Sequence, residues 1–387
     1  MTKVSYPLAT STWNSKEIEA IQRVINSGHF TMGQEVSNFE KRFSDFHNRK
    51  FAVMVNSGSS ANLLMIAALF FKKNLPLKKG DEVIVPAVSW ATTYTPLSQY
   101  GLKIKFVDVD INTMNFNLDQ LTDAISKKTK LIFSVNLLGN PNDFNKINSI
   151  IEGKDIYLLE DNCESLGAEF DGKKAGTFGI LSSFSCFFSH HISTMEGGLI
   201  LTDDQELYHI LLCLRAHGWT RDLPEKNLVT NGKSADFFEE SFRFVLPGYN
   251  LRPLEFSGAL GAEQLKKLPC FIKARQKNAE VFKEIMEEHP RIIIQAEIGK
   301  SSWFGFSLIV RPNSDYSRDQ LRQFLDKNGF EYRPIVAGNF TEQKVLEYMN
   351  FECMGSLPNA DCIQRNGLFI GNHHRDFSST LRLLNDL

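Results

Sequence analysis

Ser183-Phe184-Ser185-Cys186-Phe187-Phe188-Ser189-His190-His191-Ile192-Ser193-Thr194-Met195-Glu196-Gly197-Gly198 lies near the middle of a 387-residue chain, between two apolar runs that read as strands. Hydroxyls, two adjacent histidines and a Glu-Gly-Gly turn crowd into this one stretch. A strand, a loop and a strand with that chemistry read as the floor of a site. The alternative is a hairpin whose histidines only satisfy a buried loop, and the neighbouring segments decide between them.

Upstream, Phe51-Ala52-Val53-Met54-Val55 reads as a buried strand. Asn56-Ser57-Gly58-Ser59-Ser60 follows, and then a helical run from Ala61 to Phe71. A strand, a hydroxyl-rich turn and a helix N-terminus make an anion site, because free N–H groups, the helix dipole and serine hydroxyls converge. No Gly-Lys-Ser/Thr follows, so this is not a Walker loop. An N-cap serine would account for one of these residues but not for the run.

Further strands are predicted at Asp81–Pro86, Lys103–Val109, Leu131–Val135 and Asp155–Leu159, alternating with helices near 118–125 and 143–151. That alternation through 50–200 predicts an α/β fold with a mostly parallel sheet and crossover helices. Ligands of such sheets lie beyond the C-terminal strand ends. Ser57–Ser60, Trp90, Asp161 and Ser185 with His190 all fall there. Trp90 could cover the crevice or pack in the core. Asp161, after an apolar strand, could face the protonated nitrogen of a heterocycle, hold a metal or cap a helix.

Beyond Leu214 come Arg215-Ala216-His217-Gly218-Trp219-Thr220-Arg221, a polar loop over 222–245, and Pro247-Gly248-Tyr249-Asn250-Leu251-Arg252-Pro253. A helix over 255–265, a boundary at Lys266-Lys267-Leu268-Pro269 and a second helix over 270–287 lead into a smaller α+β unit. Its strands are predicted at 292–295, 304–310 and 331–334, with a helix at 318–328. Two domains follow: 1–265, with an N-terminal arm, and 266–387.

Bulk composition excludes several classes. Net charge is −2, 42% of residues are hydrophobic and 23% are charged, so the chain is globular and carries no field to attract nucleic acid. The longest apolar run, Leu63–Phe71, is too short to span a bilayer, and the N-terminus lacks a signal-peptide core. No membrane association is expected, and the cytoplasm is the expected location. The six cysteines show neither zinc nor iron–sulfur spacing, so no metal site is expected.

Taken in order, Ser57-Gly58-Ser59-Ser60, Glu160-Asp161, Ser185 with Glu196-Gly197-Gly198, Arg215-Ala216-His217-Gly218 and Gly248-Tyr249-Asn250-Leu251-Arg252 resemble the motifs of the sugar aminotransferases. These are the DegT/DnrJ/EryC1/StrS family of fold-type I (aspartate aminotransferase-like) pyridoxal-phosphate enzymes acting on nucleotide-linked 4-keto sugars. The resemblance runs essentially end to end. It implies a large cofactor domain and a small C-terminal α+β domain, with pyridoxal 5′-phosphate or pyridoxamine 5′-phosphate as cofactor. Gly58, Ser59 and Ser185 would hold the phosphate, Trp90 would stack on the ring and Asp161 would pair with the pyridine nitrogen. Glu164 stands where many relatives place a residue near the 3-hydroxyl. Asn250 would reach the phosphate of a neighbouring subunit, which implies a homodimer.

One departure decides the chemistry. Five residues after Ser185, where the family joins a lysine covalently to the cofactor, this chain has His190, and no lysine stands between Lys174 and Lys226. A histidine moves protons near neutral pH but makes no stable imine. The exchange resembles the dehydrating branch of the family, which uses L-glutamate as amino donor and removes the C3 hydroxyl of a GDP-linked 4-keto-6-deoxy sugar, releasing ammonia and 2-oxoglutarate. His217, Arg221 and Arg333 are the implied substrate contacts. Iron–sulfur deoxygenases share the histidine but need a cysteine cluster, so no redox partner is expected. An aminotransferase and a non-catalytic binding module are the alternatives.

Overall fold

A computed structural model describes residues 4–387. The strands of the first half are β1 (Phe51–Val55), β2 (Glu82–Pro86), β3 (Lys103–Val107), β4 (Thr129–Val135) and β5 (Tyr157–Asp161). They are followed by a short hairpin, β6 (Glu169–Phe170) and β7 (Lys173–Lys174), then by β8 (Leu181–Ser185) and β9 (Gly198–Thr202). The second half adds β10 (Ile292–Ile293), β11 (Gly305–Val310), β12 (Tyr332–Arg333), β13 (Phe351–Cys353) and β14 (Gly367–Gly371).

Eight strands form the main sheet in the order β1-β9-β8-β5-β4-β2-β3-β13. Every pair from β8 to β13 is parallel, and β9 alone runs antiparallel to both neighbours. Both faces of a parallel sheet are covered, which is why its strands read as continuous apolar runs rather than alternating ones. The helix Gly58–Phe70 lies in that cover. Its Leu64, Met65, Ile66 and Leu69 are wholly buried, each contributing about 1.5–3 kcal/mol. Beyond the main sheet, β10-β11-β14-β12 form an antiparallel sheet with its own core around Phe282, Phe306 and Leu308.

Three expectations change. The helix predicted to stop near 265 runs unbroken from Glu255 to Met286 with Pro269 inside it. An interior proline costs about 3 kcal/mol. Burial of Leu265, Leu268 and Phe271 on either side holds the helix through it. Phe351–Cys353, not foreseen as a strand, returns from the C-terminal part to pair with β3. Residues 222–245 contain a short helix, Phe237–Ser241. In the first helix, Ser15–Ser27, Ala20 and Val24 face the core with Ala259, whereas Ile18 and Ile25 are exposed.

Candidate active site

The C-terminal ends of β1, β2, β5 and β8 open into a cleft of about 570 Å³. It brings together Gly58, Ser59, Trp90, Asp161, Glu164, Ser185, His190 and Arg333.

At its base, Ser57 caps the helix by accepting a hydrogen bond from the Ser60 N–H (3.0 Å), and the Ser60 hydroxyl donates to Asn56 Oδ1 (2.6 Å). That leaves the Gly58 and Ser59 end of the helix facing the cleft, with Ser59 Oγ 2.9 Å from Thr92 Oγ1. Two glycines allow this turn to sit so deep. A Cβ on Gly58 would stand 2.7 Å from Ser185 Cβ and 3.0 Å from Cys163 Sγ. A Cβ on Gly198 would overlap the Ser57 carbonyl. The Glu-Gly-Gly turn and the serine run are therefore two halves of one packed anion cradle.

Strand alternation sends Glu160 and Asp161 to opposite faces. Glu160 is consumed by the backbone N–H groups of Gly176, Phe178 and Gly179 (2.7 Å each). Asp161 is 5% exposed. Its Oδ2 accepts from Asn62 Nδ2 (2.8 Å) and Thr93 Oγ1 (2.9 Å), and its Oδ1 from the Cys163 N–H (3.1 Å). All three donors are neutral, so the carboxylate still lacks the cation that a buried charge calls for. A protonated pyridine nitrogen would supply one. With the cradle at the other end, the donor set fits pyridoxal or pyridoxamine phosphate.

Glu164 Oε2 accepts the Leu138 N–H (2.9 Å). Burial, with Asp161 adding to it, pushes its carboxyl up to about 7. His190 sits half-buried against the ring of Phe304 (centroids 5.1 Å apart), with its Nδ1 unpaired. Desolvation at that buried Nδ1, reinforced by the Arg275 charge, draws it down to about 4, which favours the neutral imidazole. His191 faces elsewhere, with its Nε2 3.2 Å from the Ser302 carbonyl.

Three expected site residues lie outside this cleft. Asn250 and Arg221 line a second cleft of about 260 Å³, where Arg252 Nε donates to Asn250 Oδ1 (3.0 Å) and Arg221 stacks on Trp219 at 3.8 Å. His217 lies edge-on to the same Trp219, 6.0 Å away. Trp90, at the head of the helix Ala91–Gln99, is 60% exposed on the rim. The sequence reading missed Asn62, Thr93 and Phe304. Asn62 could have been found, since it falls one helical turn after Gly58 and so shares its face. Among the described residues no helix is long and apolar enough to cross a membrane, and no metal-binding cluster of His, Cys, Asp or Glu occurs.

Comparison with known proteins agrees with this geometry. The chain is 59% identical to the GDP-4-keto-6-deoxy-D-mannose 3-dehydratase of Yersinia pseudotuberculosis, over 98% of its own length and 97% of that protein. It superposes with a TM-score of 0.98 on Escherichia coli GDP-4-keto-6-deoxy-D-mannose-3-dehydratase with bound hydrated PLP, at 58% identity over 99% of each chain. A crystal structure of GDP-4-keto-6-deoxymannose-3-dehydratase with a trapped PLP–glutamate geminal diamine matches equally well, with a TM-score of 0.98, 58% identity and the same coverage. The description DegT/DnrJ/EryC1/StrS aminotransferase family fits residues 12–378, and the chain belongs to that family.

Proposed function

We propose that this chain is a pyridoxamine-phosphate- and glutamate-dependent lyase that removes the C3 hydroxyl of GDP-4-keto-6-deoxy-D-mannose, giving the 4-keto-3,6-dideoxy sugar. The observation that carries this reading is His190. It stands where the family places its cofactor-linked lysine, in a site whose anion cradle and buried carboxylate are otherwise in place.

Bound pyridoxamine phosphate supplies the amine that condenses with the C4 ketone and a conjugated ring able to accept an electron pair. The Gly58–Ser59 turn and Ser185 bind the phosphate, and Asp161 accepts the pyridine N–H, keeping that nitrogen protonated. Trp90 covers the rim. His190 takes the proton from the cofactor's C4′ carbon; being neutral, it is free to do so. Once charged, a buried imidazolium is a strong acid, so His190 delivers that proton to the C3 hydroxyl, which leaves as water. Glu164, titrating near neutrality, shares a proton with the cofactor's 3-hydroxyl. Hydrolysis of the amino sugar releases ammonia, and L-glutamate restores the amine and leaves as 2-oxoglutarate.

The small unit, residues 266–387, supplies the far wall through Phe304, Arg333 and Phe369. Arg333, exposed on that wall, meets the nucleotide diphosphate. His217, Arg221 and Asn250 act from a second copy in a homodimer. Supporting this are the separate cleft that Arg221 and Asn250 line and the exposed Leu254 on its edge. Mixing Asn250→Ala and His190→Asn proteins then restores partial activity, because one hybrid site carries neither lesion. The cytoplasm suits the six free thiols.

The direct test mixes protein, pyridoxal phosphate, L-glutamate and GDP-4-keto-6-deoxy-D-mannose. Equal release of 2-oxoglutarate and ammonia, with a sugar lighter by one oxygen, supports the reading. A stable 4-amino sugar refutes it.

A further inference from the structure

Arg275 lies on the long helix Glu255–Met286 and does not line the cleft, yet it is 4% exposed and meets no carboxylate among the described residues. Its Nη1 donates to three backbone carbonyls, those of Asn372 (2.8 Å), Phe304 (3.1 Å) and Trp303 (3.4 Å), and its Nε has no partner. Burying a guanidinium among neutral acceptors is costly, and a fold keeps such a charge only where something offsets it.

What it holds is the wall behind the histidines. Phe304 is fixed by Arg275 at its carbonyl and by its own N–H, which donates to the Leu138 carbonyl (2.9 Å). Its ring packs against His190 at 5.1 Å and His191 at 5.8 Å. Two residues earlier, the Ser302 carbonyl receives His191 Nε2. The His190-His191 turn thus meets Ser302 and Phe304 of the stretch 302–304, and Arg275 anchors two of these three residues, Trp303 and Phe304.

We propose that Arg275 is a positioning residue for the dehydration: it anchors the Trp303-Phe304 wall on which His190 rests. This rests on His190 being the base.

Other charged or titratable groups share the cleft with His190: Glu196 on its own turn, Asp161 at the end of β5, Cys163 and Glu164 just after it, and Arg333 from β12, with His191 its neighbour in sequence. After burial, Arg275 is the charge that acts on His190 in the direction of neutrality. It acts likewise on His191, held well below the ordinary histidine range. The consequence is chemical. A proton taken by His190 is unwelcome there and is handed on to the leaving hydroxyl rather than kept.

The test is a titration of ring-carbon-labelled histidine by NMR in the cofactor-loaded enzyme, with the His190 signal assigned by its loss in His190→Asn. In the wild type His190 is expected to stay neutral down to about pH 5. In Arg275→Met its pKa rises by about one unit, and the acid limb of kcat moves up with it. Cofactor binding is retained, and Arg275→Lys restores both values toward wild type. A wild-type His190 that titrates near 6.5 overturns the proposal whether or not Arg275→Met folds. So does a folded, cofactor-binding Arg275→Met with pKa and acid limb unchanged, or a lysine variant that behaves like the methionine one. Retained dehydration by His190→Asn would overturn the base assignment instead, while the His190 titration still reports on Arg275.

Discussion

Replacing Asp161 with Asn separates what this carboxylate does for the fold from what it does for the cofactor. The side chain keeps its size, so packing is unchanged. What changes is the charge and one acceptor. In the cofactor-free protein Asp161 accepts from Asn62, Thr93 and the Cys163 N–H, with no cation beside it. An asparagine amide must point its NH₂ at one of those donors, which costs about 1–3 kcal/mol for the unmade bond. Against this, a buried uncompensated charge disappears. The two effects oppose each other, and the apo-protein's melting temperature is expected to stay within a few degrees of wild type, roughly the shift of 1 kcal/mol in a chain of this size. With cofactor bound there is no such offset. Truncating one partner of a buried hydrogen-bonded charge pair costs about 2–5 kcal/mol. At 1.36 kcal/mol per tenfold, the low end of that range is already about 30-fold in rate or affinity. Absorbance titration with pyridoxamine phosphate and steady-state release of 2-oxoglutarate read both terms. An Asp161→Asn enzyme within about threefold of wild type in both, at unchanged melting temperature, would refute the pairing.

Other outcomes are equally specific. Gly58→Ala places a Cβ 2.7 Å from Ser185 Cβ, and overpacking of that kind costs about 1–3 kcal/mol, so cofactor phosphate binding should weaken roughly tenfold; unchanged affinity in a titration contradicts the packed cradle. Glu164→Gln tests the raised carboxyl through pH. Below about 4.5 the wild-type group is neutral in both folded and unfolded chains, whereas above about 7 the folded protein must hold a buried charge. The variant should therefore gain melting temperature relative to wild type as pH rises through that window and gain nothing at its acid end, and a pH-independent gain would sink the assignment. Borohydride treatment of the cofactor-loaded wild type should leave the chain unlabelled by mass spectrometry, since no lysine takes the place of His190; a cofactor-bearing peptide would contradict it.

How much could be read in advance depended on what each signal encodes. Strand ends followed by Ser57–Ser60, Asp161 and Ser185 were legible, because a parallel sheet concentrates its polar residues at one edge. Of the Glu160-Asp161 motif only Asp161 reaches the cleft, since alternation points the two side chains apart. Asn62 and Thr93, which orient Asp161, were missed because each sits inside an otherwise ordinary helix. Phe304 and Arg275 come from more than a hundred residues after Asp161, and no local pattern announces a contact made between segments so far apart in the chain. Pro269 was read as a stop from local stereochemistry. The burial of Leu265 and Leu268 overrides that local preference.

The central claim is that His190 has exchanged a lysine's tether for a proton shuttle. It is tested most directly by loading His190→Asn with pyridoxamine phosphate and following a single turnover of GDP-4-keto-6-deoxy-D-mannose. The account predicts cofactor and sugar binding close to wild type, with C3 deoxygenation slowed by roughly 10²–10⁴-fold, the usual contribution of a positioned acid–base group. Deoxygenation within about tenfold of wild type would contradict it and assign the proton transfer to another residue of the cleft.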